Sequence, residues 1–304
     1  LTPIKTLAAQ SEMMVPLREE AAMFKNVLVP SLSSVCSVPA MELALKMARP
    51  CEGHVEFLHV HPDARELARY AGSLDVESSM FTSQIWEAME EGDKQCAARS
   101  RKIFDAFCTE RKLGTASASF RELSGNNRDR TIARARYSDL VVMGRPAAPE
   151  DLTTDGTADV LVESGRPLLL APSAPCNRPL TTVVIAWKPG ASAARTVAAA
   201  MPLLAQAEKI HVLAIGETNG EDVLAPAEHL AAYLRQHGLK PQAGHLSAGG
   251  KNAADMLLEA ADDKLKAGVL VMGGYGHSRA REFIFGGFTR RVLHQAPLPV
   301  FMSH

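Results

Sequence analysis

The sequence predicts an α/β protein built on a mainly parallel sheet with helices on both faces, and it predicts that unit twice. Three observations carry this. Short, almost wholly apolar runs such as "KNVLVPS", "HVEFLHVH" and "GVLVM" alternate with stretches whose apolar residues recur at helical spacing. Strands buried on both faces read as continuous apolar runs, and their alternation with amphipathic helices marks a parallel sheet. The second half of the chain repeats the order of the first. The length of 304 residues suits about two domains, and 46% apolar against 22% charged residues is a globular balance.

Residues 1–22 precede "MFKNVLVPS", where Met23 reads as a natural start leading into a strand, so this leader is expected to be poorly ordered. The first half, residues 23–177, runs through "KNVLVPS", a helix patterned by Met41, Ala44, Leu45 and Ala48, and the strand "HVEFLHVH". Between Asp63 and Lys112 the spacing of Met80, Ile85, Met89, Ile103 and Phe107 predicts long helices. The strands "YSDLVVMG" and "RPLLLAPS" close the half. Proline-rich "APSAPCNRPL", without periodicity, puts the boundary near Asn177. The second half, residues 178–304, opens with "TTVVIAWK" and a helix through Ala194, Val197, Ala198, Met201 and Leu204, which Pro202 is expected to kink or end early. After "KIHVLAIG", the turn "GGKNAAD" leads into a helix carrying Met256, Leu257 and Leu258. The strands "KAGVLVMG" and "LPVFMSH" then mirror the closing strands of the first half.

Several function classes are disfavoured. A formal charge of -1 gives no global attraction to nucleic acid, and two tryptophans and four tyrosines make no stacking platform for single strands. No apolar run reaches the roughly 18 to 20 residues of a membrane span, and charges break up the N-terminal stretch where a signal peptide would lie, so the expected location is cytoplasmic. Five cysteines, odd in number and without a C-x-x-C pair, suit reduced thiols. No nucleophile elbow, Walker loop or H-E-x-x-H helix is present, so no catalytic residue is assigned. His59 and His61 share a strand face with Asp63 nearby, but two histidines fall short of a ligand set and no metal is assigned.

The strongest functional signal is "GGYGHSRAREFIFGGFTRRVL", residues 273–293, directly after an apolar strand. Gly273, Gly274 and Gly276 leave the strand, and Gly286 and Gly287 open a helix marked by Phe288, Val292 and Leu293. Glycines let an anion approach backbone amides, and a helix N-terminus adds unpaired N–H groups and partial positive charge. His277, Arg279 and Arg281 bring further donors. The stretch therefore reads as a phosphate cradle at the C-terminal edge of a parallel sheet, where such folds bind ligands.

These residues resemble the universal stress protein family. Its nucleotide-binding members carry Gly, two residues, Gly, nine residues, Gly, then Ser or Thr, and Gly273, Gly276 and Gly286 match that spacing. The whole stretch from Met23 to His304 is similar to tandem members of the family. The resemblance implies two Rossmann-like domains, each an open, mainly parallel five-stranded sheet, whose closing strands pair across the halves as an internal pseudo-dimer. It implies ATP or a related adenine nucleotide as ligand, with or without Mg2+, in a stress-response factor that regulates rather than catalyses. Phosphate contacts would fall to Gly273, Gly276, His277, Gly286, Gly287 and Thr289, and adenine and ribose contacts to Ala186, Trp187 and Lys188.

There are departures. Gly287 stands where the family has its hydroxyl, leaving Thr289 as substitute, and Lys188 and Leu32 stand at the two acidic positions after the first strands. Lysine cannot accept hydrogen bonds from ribose hydroxyls. In the first half Ala147 replaces the second glycine, Gly156 and Thr157 keep only the end of the motif, Pro146 and Pro149 lack amide donors, and Glu150, Asp151 and Asp155 would repel phosphate. One site per chain is expected, in the second half. The alternatives are slow ATP hydrolysis there, or a nucleotide-independent dimerising scaffold. The stress, the protein partners and any homodimer are not written in the sequence.

Overall fold

The computed structural model describes residues 24–31, 37–62, 79–145, 156–216, 224–247, 252–274 and 287–304, the side chains of 79–86 excepted. The first half contains β1 (Asn26–Ser31), α1 (Val38–Ala48), β2 (His54–His61), α2 (Ser79–Arg111) and β3 (Ala118–Ser124). It continues with α3 (Asn127–Ala135), β4 (Leu140–Gly144), α4 (Thr157–Glu163) and β5 (Leu168–Ala171). The second half contains β6 (Thr182–Trp187), α5 (Ala191–Leu204), β7 (Lys209–Gly216), α6 (Ala225–Gln236) and β8 (Pro241–Ser247). It ends with α7 (Ala253–Glu259), a π-helical turn (Ala260–Lys264), β9 (Val269–Met272), α8 (Gly287–Gln295) and β10 (Val300–Met302).

Helix starts follow local chemistry. Ser37 caps α1 by accepting from the Ala40 amide, Asn126 caps α3 through Asp129, and Asn252 caps α7 through Ala254. Each cap satisfies one of the amides that a helix leaves open at its start. Helix α5 ends two residues after Pro202, as expected of a residue that cannot donate to the preceding turn.

The strands form one sheet in the order β3-β2-β1-β4-β5-β10-β9-β6-β7-β8. Neighbours are parallel except at the centre, where β5 and β10 run antiparallel with Leu169 opposite Phe301. The two five-stranded units are thus one continuous ten-stranded sheet. This pairing of the closing strands removes two open edges.

Alternation along each strand sends side chains into two cores. Val27, Val29, Val183 and Ile185 face one, beneath α1, α2, α5 and α6, through Met41, Phe104, Val197 and Leu230. Leu28, Val184 and Ala186 face the other, beneath α3, α4, α7 and α8, through Ile132, Leu161, Leu257 and Val292. At the central seam Leu168, Leu169, Leu170 and Phe301 are fully buried, and the Phe301 ring lies 6.1 Å from that of Phe24 in the other half. Burying such side chains is worth about 1.5–3 kcal/mol each, so the seam belongs to the core.

Cys51, Cys96, Cys108 and Cys176 are free thiols. Among the described residues no helix is long and apolar enough to cross a membrane.

Candidate functional site

Two places in the sheet have the topology of a ligand crevice. From β6 the chain crosses through α5 to β7 on one side, while β9 lies on the other side of β6, so strand order reverses between β6 and β9. In the first half it reverses between β1 and β4. Open α/β sheets bind ligands outside the C-terminal strand ends at these points.

The reversal in the second half brings together residues that are far apart in sequence. Ala186 pairs with Met272, so Trp187 and Gly273 are the next residues along adjacent strands, about 5 Å apart at sheet spacing. The Trp187 indole nitrogen is buried with no hydrogen-bond partner among the described residues, while Lys188 is exposed. Ala186 is itself a core residue, which leaves its backbone for any ligand contact. Gly287 and Thr289 lie in the first turn of α8, which Val292 and Leu293 anchor to the core. Gly276, His277 and Gly286, with Arg279 and Arg281, fall outside the described residues.

The motif glycines at the site have different reasons to be glycine. A Cβ on Gly273 would come 2.9 Å from the Ala193 amide nitrogen and 3.0 Å from its Cα, so its absence lets the first turn of α5 close on the end of β9. A Cβ on Gly274 would lie 2.9 Å from the Ser303 carbonyl oxygen, to which the Gly274 amide also donates. The Ser192 hydroxyl donates to that same oxygen, and the Ser303 amide donates to Thr196 Oγ1. Packing accounts for these two glycines without a ligand. At Gly287, by contrast, a Cβ would meet nothing within 4 Å among the described residues.

The first-half reversal is built differently. A Cβ on Gly144 would come 2.8 Å from the Ser37 side chain that caps α1. The next residue is Arg145, where the second half has Gly274. Its Nη1 donates to the Ala296 carbonyl of the other half, and its Nε and Nη2 are buried without partners among the described residues. Burial pushes the guanidinium down to about 10. Thr157 is fully buried, and beyond it Arg128 pairs with Asp159 and Glu163 of α4. The residues between 146 and 155, on which the sequence contrast between the halves largely rests, lie outside the described residues.

Comparison with known proteins agrees with this architecture. The model of the Universal stress protein family matches residues 180–304. No curated protein matches the chain in sequence. Among solved structures, a universal stress protein from Archaeoglobus fulgidus DSM 4304 is similar at 16% identity with a TM-score of 0.61, over 91% of this chain and 95% of that one. A functionally unknown protein from Pseudomonas aeruginosa PAO1 is similar at 16% identity with a TM-score of 0.57, over 92% of each chain. At these identities the likeness is one of fold, and it spans both halves.

Proposed function

We propose that the second half, whose residues 180–304 match the model of the Universal stress protein family, binds ATP or a related adenine nucleotide at the reversal between β6 and β9. The observation that carries this reading is the pairing of Ala186 with Met272, which sets Trp187 and Lys188 beside Gly273 at one crevice. Among the described residues the buried indole N–H of Trp187 has no acceptor, and an unmet buried donor costs about 1–3 kcal/mol. A ring nitrogen of the base or a ribose oxygen would supply that acceptor.

Phosphates would lie toward the N-terminus of α8, where the amides of the first turn and the partial positive charge of the helix favour anions. Gly287 puts no side chain there, and the exposed Lys188 adds a cation. Gly276, His277 and Gly286 would complete the cradle. The role in this reading is regulatory: occupancy changes the surface that the loops around the crevice offer to a protein partner. One site per chain follows from the first half, where Ala147 stands in place of Gly276 and Glu150, Asp151 and Asp155 would repel phosphate.

Titration calorimetry with ATP and Mg2+ tests this. Binding of one nucleotide per chain is expected, and Gly287→Glu should abolish it while leaving the melting temperature unchanged or slightly raised. The Cβ of the new side chain meets no atom of the described residues within 4 Å, the carboxylate falls where phosphate would lie, and an acid in the first turn suits the helix. No heat with any adenine nucleotide overturns the proposal. Steady phosphate release that Gly287→Glu removes would replace regulation by hydrolysis.

A further inference from the structure

A second cluster lies in the first half, away from the nucleotide crevice. His59 and His61 are two apart on β2 and share the face that carries Val55 and Phe57. Helix α2 covers that face, with Phe104 and Phe107 against Phe57 at ring distances of 5.0 and 6.5 Å. The sheet-facing stripe of α2 reads backwards as Phe107, Phe104, Ser100 and Ala97, all buried, and its next member at the same spacing is Asp93. The stripe that holds aromatic rings at one end therefore delivers a carboxylate at the other, onto the two histidines.

Asp93 Oδ1 is 3.1 Å from His59 Nε2, and Oδ2 is 2.6 Å from His61 Nδ1. One donor atom from each of the three side chains falls within 4.8 Å of the others, and the imidazole rings are 4.8 Å apart at 71°. From β3, Glu122 Oε2 lies 3.8 Å from His61 Nε2, the ring nitrogen that Asp93 does not touch. His59 is only 4% exposed, and its Nδ1 has no partner among the described residues.

We propose that His59, His61 and Asp93 bind a divalent transition metal, zinc in preference, with Glu122 orienting His61. Two imidazoles and one carboxylate suit zinc and its neighbours, whereas calcium and magnesium take oxygen ligands. With bonds of about 2.0–2.1 Å, tetrahedral donors sit about 3.3 Å apart. The 3.1 Å contact is near that spacing, while the 2.6 Å contact, made by the other Asp93 oxygen, must lengthen for an ion to enter. A carboxylate facing the second nitrogen of a ligating histidine is the usual outer partner, and Glu122 stands there. Three protein ligands leave a fourth position for water or an exogenous donor, as in exchangeable rather than closed zinc sites. The residue that completes the set is Asp93, and Asp63, nearer in sequence, lies outside the described residues.

The test uses the full chain, untagged and stripped with chelator, titrated with Zn2+ by calorimetry and with Co2+ by absorption. One ion per chain is expected, with a tetrahedral Co2+ spectrum that Zn2+ displaces. The chain has 10 histidines, so stoichiometry alone does not locate the ion. Asp93→Asn and His61→Gln, neither fully buried, should each weaken binding at least ~100-fold, and Glu122→Gln about 10-fold, the range for outer-shell changes being roughly 10- to 100-fold. Circular dichroism confirms that each variant is folded. Absence of one-to-one binding in the parent chain overturns the proposal, as does binding that survives both ligand substitutions.

Discussion

Glu56 is a carboxylate 7% exposed inside β2, and two arginines make that tolerable. Arg134 grips both of its oxygens and Arg121 Nε donates at 2.8 Å. Burial alone would raise its pKa, but these hydrogen bonds outweigh it and hold the carboxyl below its ordinary 4.5. A depressed folded value means that the unfolded chain takes the proton first, so the stabilisation is whole above about pH 4.5 and is lost as pH falls through the folded value. Glu56→Gln should therefore cost about 1–2 kcal/mol at neutral pH, the arginines being partly exposed. In urea melts that gap should narrow steadily below pH 4.5; a gap constant down to pH 3 would refute the linkage. Neither arginine was legible as its partner, because each lies more than sixty positions away. The same holds for Asp93, which reads as one acid among several in "EEGDK" until α2 lays it on β2. Gly273 was legible as a special position, yet the visible reason is the close approach of α5 rather than an anion.

Helix α2 shows what periodicity conveys about an element and what it leaves out. Met80, Ile85, Met89, Ile103 and Phe107 predicted helix, and one continuous helix spans Ser79–Arg111. Its 33 residues extend about 50 Å, whereas the eight residues of β2 extend about 26 Å, so the helix outruns the sheet it covers. Residues 87–92 are exposed throughout, and Met89, which fits the apolar spacing, is 45% exposed. Spacing reports which way a side chain faces along the helix; it carries no information on whether a sheet lies beneath. Phe104→Ala should cost about 3–5 kcal/mol in chemical denaturation, while Met89→Ala should stay within about 0.5 kcal/mol. Equal effects would mean that the outer half of α2 is packed in solution.

At the scale of the whole molecule, the repeat and the alternation of strands and helices were legible because they depend only on short-range pattern. The seam was legible through the resemblance rather than from pattern, since nothing local in "LLLA" or "VFM" names a partner. Its continuity has a thermodynamic consequence: Phe24, Leu169 and Phe301 belong to one core with residues of both halves, so both halves should unfold in a single transition. Hydrogen exchange should give β1 and β6 the same opening free energy, and Phe301→Ala should lower both together. Two separable transitions would show that the halves are independently stable.

The same seam bears on how the protein is made. Strand β10 is the last in sequence, yet it occupies the middle of the sheet, between β5 and β9. A ribosome delivers β5 before it delivers residues 300–302, so the nascent first half carries a bare strand edge while residues 172–299 are made. Synthesis stalled short of that point leaves an arch without its keystone, open to pairing with the same edge on a neighbouring polysome.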